Sequence, residues 1–89
     1  MNQPYLQVTF RSGRPVAAYY YLPRRPGERS IHTIELSPGI LVDFNSADHP
    51  VGVEIPDPRA VSLGQLNRVL LQLGLSTLTK AEFAPLRAA

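Results

Sequence analysis

The sequence predicts an α+β domain, a five-stranded antiparallel meander sheet followed by one main C-terminal helix and a short second helix. Three observations lead there. Five short apolar runs with a period of two are separated by turn-forming residues. From Ser62 onward the period changes to 3.6. The chain has 89 residues, 44% of them apolar, with nine prolines, six glycines and no cysteine. That is the size of one domain with many short elements, held by burial alone and without disulfides or thiolate metal sites.

Tyr5 to Phe10 alternates, with Leu6, Val8 and Phe10 on one face and Tyr5, Gln7 and Thr9 on the other. Arg11-Ser12-Gly13-Arg14-Pro15 reads as a turn, since Gly permits positive φ and Pro removes a ladder donor. Val16 to Leu22 is the return strand. Placing Phe10 opposite Val16 sets Leu6 across from Tyr20, Val8 across from Ala18, Gln7 beside Tyr19 and Tyr5 beside Tyr21.

Pro23 to Ser30 is the one plausible flexible segment. It leads to a third strand, Ile31 to Leu36, whose alternation groups His32, Ile34 and Leu36. Ser37-Pro38-Gly39 is a turn, and Ile40 to Phe44 then places Ile40, Val42 and Phe44 together. Asn45 to Pro50 is dense in residues that bond their own backbone or fix its dihedrals. Val51 to Ile55 returns with Val53 and Ile55 inward, and Pro56-Asp57-Pro58 ends the sheet.

Ser62 with Gln65 forms a capping box that opens the main helix. Leu63, Leu66, Leu70 and Leu73 make its apolar stripe, Val69 and Leu71 widen it on either flank, and Gly74 is the stop. Thr79 with Glu82 starts a second, short helix that contributes Phe83 and ends near Pro85. The sheet spans about residues 5–55 and the helical part about 62–86 of a single domain, 1–89.

One helical layer shields one sheet face, which leaves the other face partly bare. Its occupants include Tyr5, Tyr19, Tyr21, Ile31 and Leu41 beside Gln7, Glu35, Asp43 and Glu54. A mixed aromatic and aliphatic patch of that kind marks a protein interface more often than a solvent surface. Val69 and Leu71 on the helix flanks are further candidate interface residues. Formal net charge is only +2, unevenly spread: residues 1–30 carry five arginines against Glu28, residues 31–61 carry five acids against Arg59, and Arg68, Lys80 and Arg87 outnumber Glu82 in the rest. Such blocks attract within one molecule or between two. No apolar run approaches the roughly 18 residues of a membrane span, and the first ten residues lack a secretory layout, so a soluble, cytoplasmic protein is expected.

The segment Ile40-Leu41-Val42-Asp43-Phe44, a polar loop, and Val51-Gly52-Val53-Glu54-Ile55 resembles a small bacterial family known as domain of unknown function twenty-two eighty-three. In that family a strand ending in valine and an acid precedes a Gly-Ile-Glu-Ile strand, and Tyr20-Tyr21-Leu22 resembles its aromatic second strand. The resemblance runs over roughly residues 5–72 and implies a small sheet-plus-helix fold. By analogy it implies an antitoxin-like role. Family members carry acids in the first turn where this chain has Arg11 to Pro15, so nothing assigned to those acids transfers.

Catalytic signatures are weak, and the chain is read as no enzyme, with no cofactor and no metal. Register places Leu41 between Glu35 and Glu54, with the carboxylates roughly 10 Å apart across two strand spacings, wide for a shared metal. Solvated or interface carboxylates explain them more simply, although a metal-dependent or hydrolytic role for Glu54 is a third reading. His32 lies on the apolar face near the sheet edge, His49 before Pro50 is turn chemistry, and neither sits in HExxH spacing. No serine occupies a G-x-S-x-G elbow, and Gly52 and Gly64 form no phosphate loop.

The expected function is therefore a non-catalytic interaction module, a homo-oligomer or the subunit of a small partner protein. The alternative is a small nucleic-acid-binding module in which Tyr19 and Tyr21 stack bases while Arg24, Arg25 and Arg29 neutralise phosphates. Glu35, Asp43 and Glu54 on the same face weigh against it.

Overall fold

The computed structural model describes residues 3–25 and 27–87; Pro26, inside the segment read as flexible, lies outside the described residues. Five strands, β1 (Tyr5–Arg11), β2 (Arg14–Tyr21), β3 (His32–Ser37), β4 (Ile40–Phe44) and β5 (Pro50–Ile55), form one antiparallel sheet. A 3-10 turn at Pro58–Ala60 leads to α1 (Leu63–Gln72) and α2 (Lys80–Phe83), the latter continuing as a 3-10 turn over Ala84–Arg87. The five-stranded antiparallel sheet with one main and one short helix is thus the α+β architecture expected.

The strand order is not a meander. It runs β1-β2-β5-β4-β3, so β5 pairs with both β2 and β4 while β3 takes the far edge. Side-chain chemistry explains the exchange. Val51, Gly52, Val53 and Ile55 of β5 are all buried, as a strand with neighbours on both sides requires, whereas β3 is exposed along nearly its whole length and carries His32, Thr33 and Glu35. The ten residues from Leu22 to Ile31 are enough to pass the ends of two strands, which the adjacency rule for short connections does not anticipate.

In the first hairpin, Tyr5↔Tyr21, Leu6↔Tyr20, Gln7↔Tyr19 and Val8↔Ala18 pair as expected. Phe10 faces Pro15 rather than Val16, because the register shifts between Thr9 and Phe10. The cause is the turn. Ser12 and Gly13 both have positive φ, the pattern of a two-residue type I′ link, and closing Arg11 directly onto Arg14 demands a register one residue away from the one set further down the strands. A similar shift sets Phe44 opposite Pro50.

The core fills one side of the sheet. Tyr20, Leu22, Ile40, Val42, Val53 and Ile55 meet Val61, Leu66, Val69 and Leu70, and Leu78, Phe83 and Leu86 close the layer. Ser62 Oγ accepts the Gln65 N–H, but the Gln65 side chain donates to Ser37 Oγ and the Pro38 carbonyl instead of completing a capping box. It ties the helix start to the β3–β4 turn. Gly74, at φ +74°, ends α1 with its N–H on Leu71 O and the Leu75 N–H on Leu70 O, a Schellman motif. Asn67 bonds both the N–H and the carbonyl of Leu78, and Arg87 donates to the carbonyls of Pro58 and Val61, so the C-terminal segment is laced onto the helical side. The full Thr79–Glu82 capping box is present.

Candidate functional site

Among the described residues no element covers the opposite side of the sheet. Register fixes its two central rows: Tyr5, Tyr21, Gly52, Asp43 and Thr33, then Gln7, Tyr19, Glu54, Leu41 and Glu35. The Tyr5 and Tyr21 rings stack at 4.6 Å, and Tyr19 meets Tyr21 edge-on at 4.5 Å. From there Tyr19 lies across the strand neighbour where no side chain rises. A Cβ on Gly52 would collide with the Tyr19 Oη, Cζ and Cε2 atoms, the last at 2.6 Å. Glycine in a strand interior here serves as a seat for an aromatic ring.

Lying flat lets the Tyr19 hydroxyl donate to Asp43 Oδ2 at 2.7 Å, while Thr33 Oγ1 donates to Asp43 Oδ1 at 2.5 Å. Asp43 is only 6% exposed although it sits on an uncovered face. Burial opposes its ionisation, but the hydrogen bonds from Thr33, Tyr19 and Glu54 and the charge of Arg24 outweigh that and hold its carboxyl below the usual range. Glu54, on the neighbouring strand, moves the other way: its hydrogen bond to Asp43, burial and repulsion by the Asp43 charge raise it. Of the two, Asp43 is the more readily ionised and Glu54 the more readily protonated partner. Burial pushes the Tyr19 phenol well above its usual range, aided by the Asp43 bond and charge and opposed by Arg24.

Arg24, three residues past the end of β2, lies at the Tyr21 end of this cluster. Its Nη2 donates to the Val51 carbonyl at 2.6 Å, its guanidinium carbon lies 6.0 Å from the Tyr21 ring centroid, and its Nε is buried without a hydrogen-bond partner. Arg25 and Arg29 are exposed on the loop. That loop is anchored again at Glu28, which accepts the Arg25 N–H and the buried Asn45 Nδ2; the Arg25 bond chiefly, with Asn45, holds the Glu28 carboxyl below its usual range.

The expected interface residues are distributed unevenly. Tyr5 is half exposed, Ile31 is 60% exposed, and Tyr19, Tyr21 and Leu41 are half-buried on the open face. Leu71 is exposed on the outer side of α1. Val69 is not an interface residue of this chain: at 2% exposure it packs into the core, because α1 lies with its 66–69–70 side on the sheet and turns the 71 side outward. The row Glu35–Leu41–Glu54 forms as the register required, but Glu35 Oε2 bends back to accept the Gly39 N–H. His32 stacks on Phe44 at 5.4 Å with Nε2 3.5 Å from Asp48 Oδ1, and the His49 N–H donates to Asn45 Oδ1 within the turn. Among the described residues no group of three or more His, Asp or Glu side chains is placed to hold a metal ion.

Sequence reasoning did not find the Tyr19–Gly52–Asp43 contact. The signal was a lone glycine in a β-run with an aromatic strand elsewhere, but it becomes readable only once β2 and β5 are known to be neighbours. It also did not foresee that Ile34 and Leu36, though on the helical side, would stay exposed on the edge strand. Among the described residues no helix is long and apolar enough to cross a membrane. The chain matches no family model, and no match is found among curated proteins or solved structures.

Proposed function

We propose that this chain is a cytoplasmic interaction module that offers the uncovered face of its sheet to a second polypeptide, in the first instance a second copy of itself. The observation that supports this reading is the bracing of that face. Tyr19 is pinned over Gly52 by a buried carboxylate that Thr33 also holds, and Tyr5 and Tyr21 stack beside it. The contact stabilises the fold, and it also fixes the Tyr19 ring in one position on the open face. A surface that docks gains preorganisation.

Size and charge favour a second copy. Five strands about 4.8 Å apart and six residues at about 3.3 Å each span roughly 500 Å² in projection, of the same order as the roughly 800 Å² that one partner contributes to a stable interface. Arg24 lies at the end of the face where Tyr5 and Tyr21 sit, and Glu54 and Glu35 lie one row further along. A two-fold axis in the plane of the sheets, perpendicular to the strands, turns one copy's arginine end toward the other's acidic row. The nucleic-acid reading is weaker on the same geometry, since Glu54 stands beside Tyr19 and Glu35 lies in the same row, where both would repel a phosphate backbone. The resemblance to domain of unknown function twenty-two eighty-three remains part of the proposal, and with it an antitoxin-like role.

Light scattering across the micromolar range tests the reading. The expected result is twice the chain mass for the native protein and for Leu71→Glu, and the single-chain mass for Tyr5→Glu. A monomer at every concentration, or a dimer broken by Leu71→Glu and not by Tyr5→Glu, would overturn it.

A further inference from the structure

We propose that the depression beside the first hairpin turn is a binding site for a compact phosphoryl group, such as a phosphate monoester or a pyrophosphate. The turn itself raises the question. Its two-residue link sets Arg11 directly opposite Arg14, and like charges in directly opposed strand positions destabilise the pairing. A third arginine joins them. Arg59 stands on the 3-10 turn after β5, positioned by Asp57, whose Oδ1 accepts both the Arg59 backbone N–H at 3.2 Å and its Nε at 3.5 Å. All three arginines line one concavity of about 360 Å³, together with Ser12, Asp57 and an apolar rim that includes Val16 and Pro56.

Three arginines against one carboxylate leave a local charge of 3 − 1 = +2, as large as the formal charge of the whole chain. Asp57 is occupied by Arg59, and among the described residues neither Arg11 nor Arg14 has an ion pair. All three are arginines, whose planar forks match the oxygens of a phosphoryl group two at a time. The three come from a strand end, a strand start and a separate turn, so a tetrahedral dianion in the concavity has arginines from more than one element within its surroundings. The Ser12 hydroxyl adds a neutral donor, and the apolar rim suits the organic part of a phosphorylated small molecule.

The volume fits a ligand of about nucleotide size or smaller. A polynucleotide fits less well, because its backbone needs a continued basic track and the adjoining sheet face carries Glu54 and Glu35.

Isothermal titration of the full chain with pyrophosphate at low salt tests the site, with a single-stranded oligonucleotide as the second arm. One pyrophosphate per chain is expected, weakened at least tenfold in Arg14→Gln and in Arg59→Gln and strengthened severalfold in Asp57→Asn, which removes the competing charge. All three side chains are exposed, so thermal melts of the variants should show no loss of stability, and Arg14→Gln, which relieves the repulsion by Arg11, should melt no lower than the native protein. As a readout that needs no variant, the amide resonances of Ser12, Gly13 and Arg59 should shift with the same saturation curve. Absence of saturable pyrophosphate binding at millimolar concentration, affinity unchanged in both arginine variants, resonance shifts confined elsewhere, or binding of the oligonucleotide without binding of pyrophosphate would each overturn the proposal.

Discussion

Replacing Gly52 by alanine should cost far more than a methyl group in a strand ordinarily does. The backbone is no obstacle, since Gly52 is not among the positive-φ residues. Space is the obstacle, because the new Cβ would occupy the position of the Tyr19 ring and hydroxyl. Overpacking of this kind costs about 1–3 kcal/mol. Moving Tyr19 aside also breaks its 2.7 Å bond to Asp43, and a hydrogen bond to a charged group contributes about 1.5–3 kcal/mol. Reduced freedom of the unfolded chain returns about 0.4–1 kcal/mol. The net expectation is a loss of about 3 kcal/mol, measured by urea unfolding, with a melting temperature lower by about 12–24 °C for a domain of this length. The double variant isolates the cause: in a Tyr19→Ala background, Gly52→Ala should cost less than about 0.5 kcal/mol, giving a coupling of at least about 2 kcal/mol. If Gly52→Ala alone is within about 0.5 kcal/mol of the native protein, or costs the same without the Tyr19 ring, the account of the open face as a braced platform fails.

The Asp43–Glu54 pair makes a signed prediction about pH. Glu54 is raised in the folded chain, so its contribution is fully present below the ordinary glutamate range and is lost as pH rises through the raised value; Asp43 is lowered, so its contribution is present above the ordinary aspartate range and is lost as pH falls through the depressed value. Glu54→Gln should therefore be more stable than the native protein at neutral pH, by about 0.5 kcal/mol once the partial exposure of Glu54 is allowed for, and should flatten the decline measured by denaturant titration as pH rises above the ordinary glutamate range. Equal pH profiles would refute the coupling of the two carboxylates. Asn45→Ala should cost about 2–3 kcal/mol in the same assay, because Asn45 is buried and bonds Glu28 Oε2 and the N–H groups of Ala47 and His49. It should also speed amide exchange at residues 27–30, and protection there equal to the native protein's would show that Glu28 is not what holds the loop.

Where a structural fact depended on a residue and its near neighbours in the chain, it could be read from the sequence. Leu6 to Thr9 alternate strictly, Gly74 follows the last helical leucines, and Thr79 with Glu82 carries its own cap, so strand, stop and short helix are each written locally. The row Glu35–Leu41–Glu54 was also legible, because each of its contacts joins strands linked by a short turn. What could not be read were facts set by partners far apart in the chain. The place of β5 beside β2 depends on how Val51, Val53 and Ile55 compete with Ile34 and Leu36 for the ground beneath the helix, and alternation gives both strands an apolar face. The more polar third strand loses that competition. Once that neighbour was misplaced, the Tyr19–Gly52–Asp43 contact was out of reach, and Asp43 looked like one more surface acid. Val69 was misjudged for a smaller reason: a helical wheel shows the width of an apolar arc but not the angle at which the sheet meets it.

The insertion of β5 between β2 and β4 has a kinetic consequence. Until residue 55 has joined the chain's own middle, the first hairpin and the β3–β4 pair are separate ribbons, and neither has a floor on which α1 could rest. The event that joins them is closure of the long span between Tyr21 and Gly52, an entropic toll collected before most of the burial begins. The unfolding reaction should accordingly be all-or-none, with changes in β5 altering the rate of assembly and changes at the β3 rim altering chiefly the rate of opening.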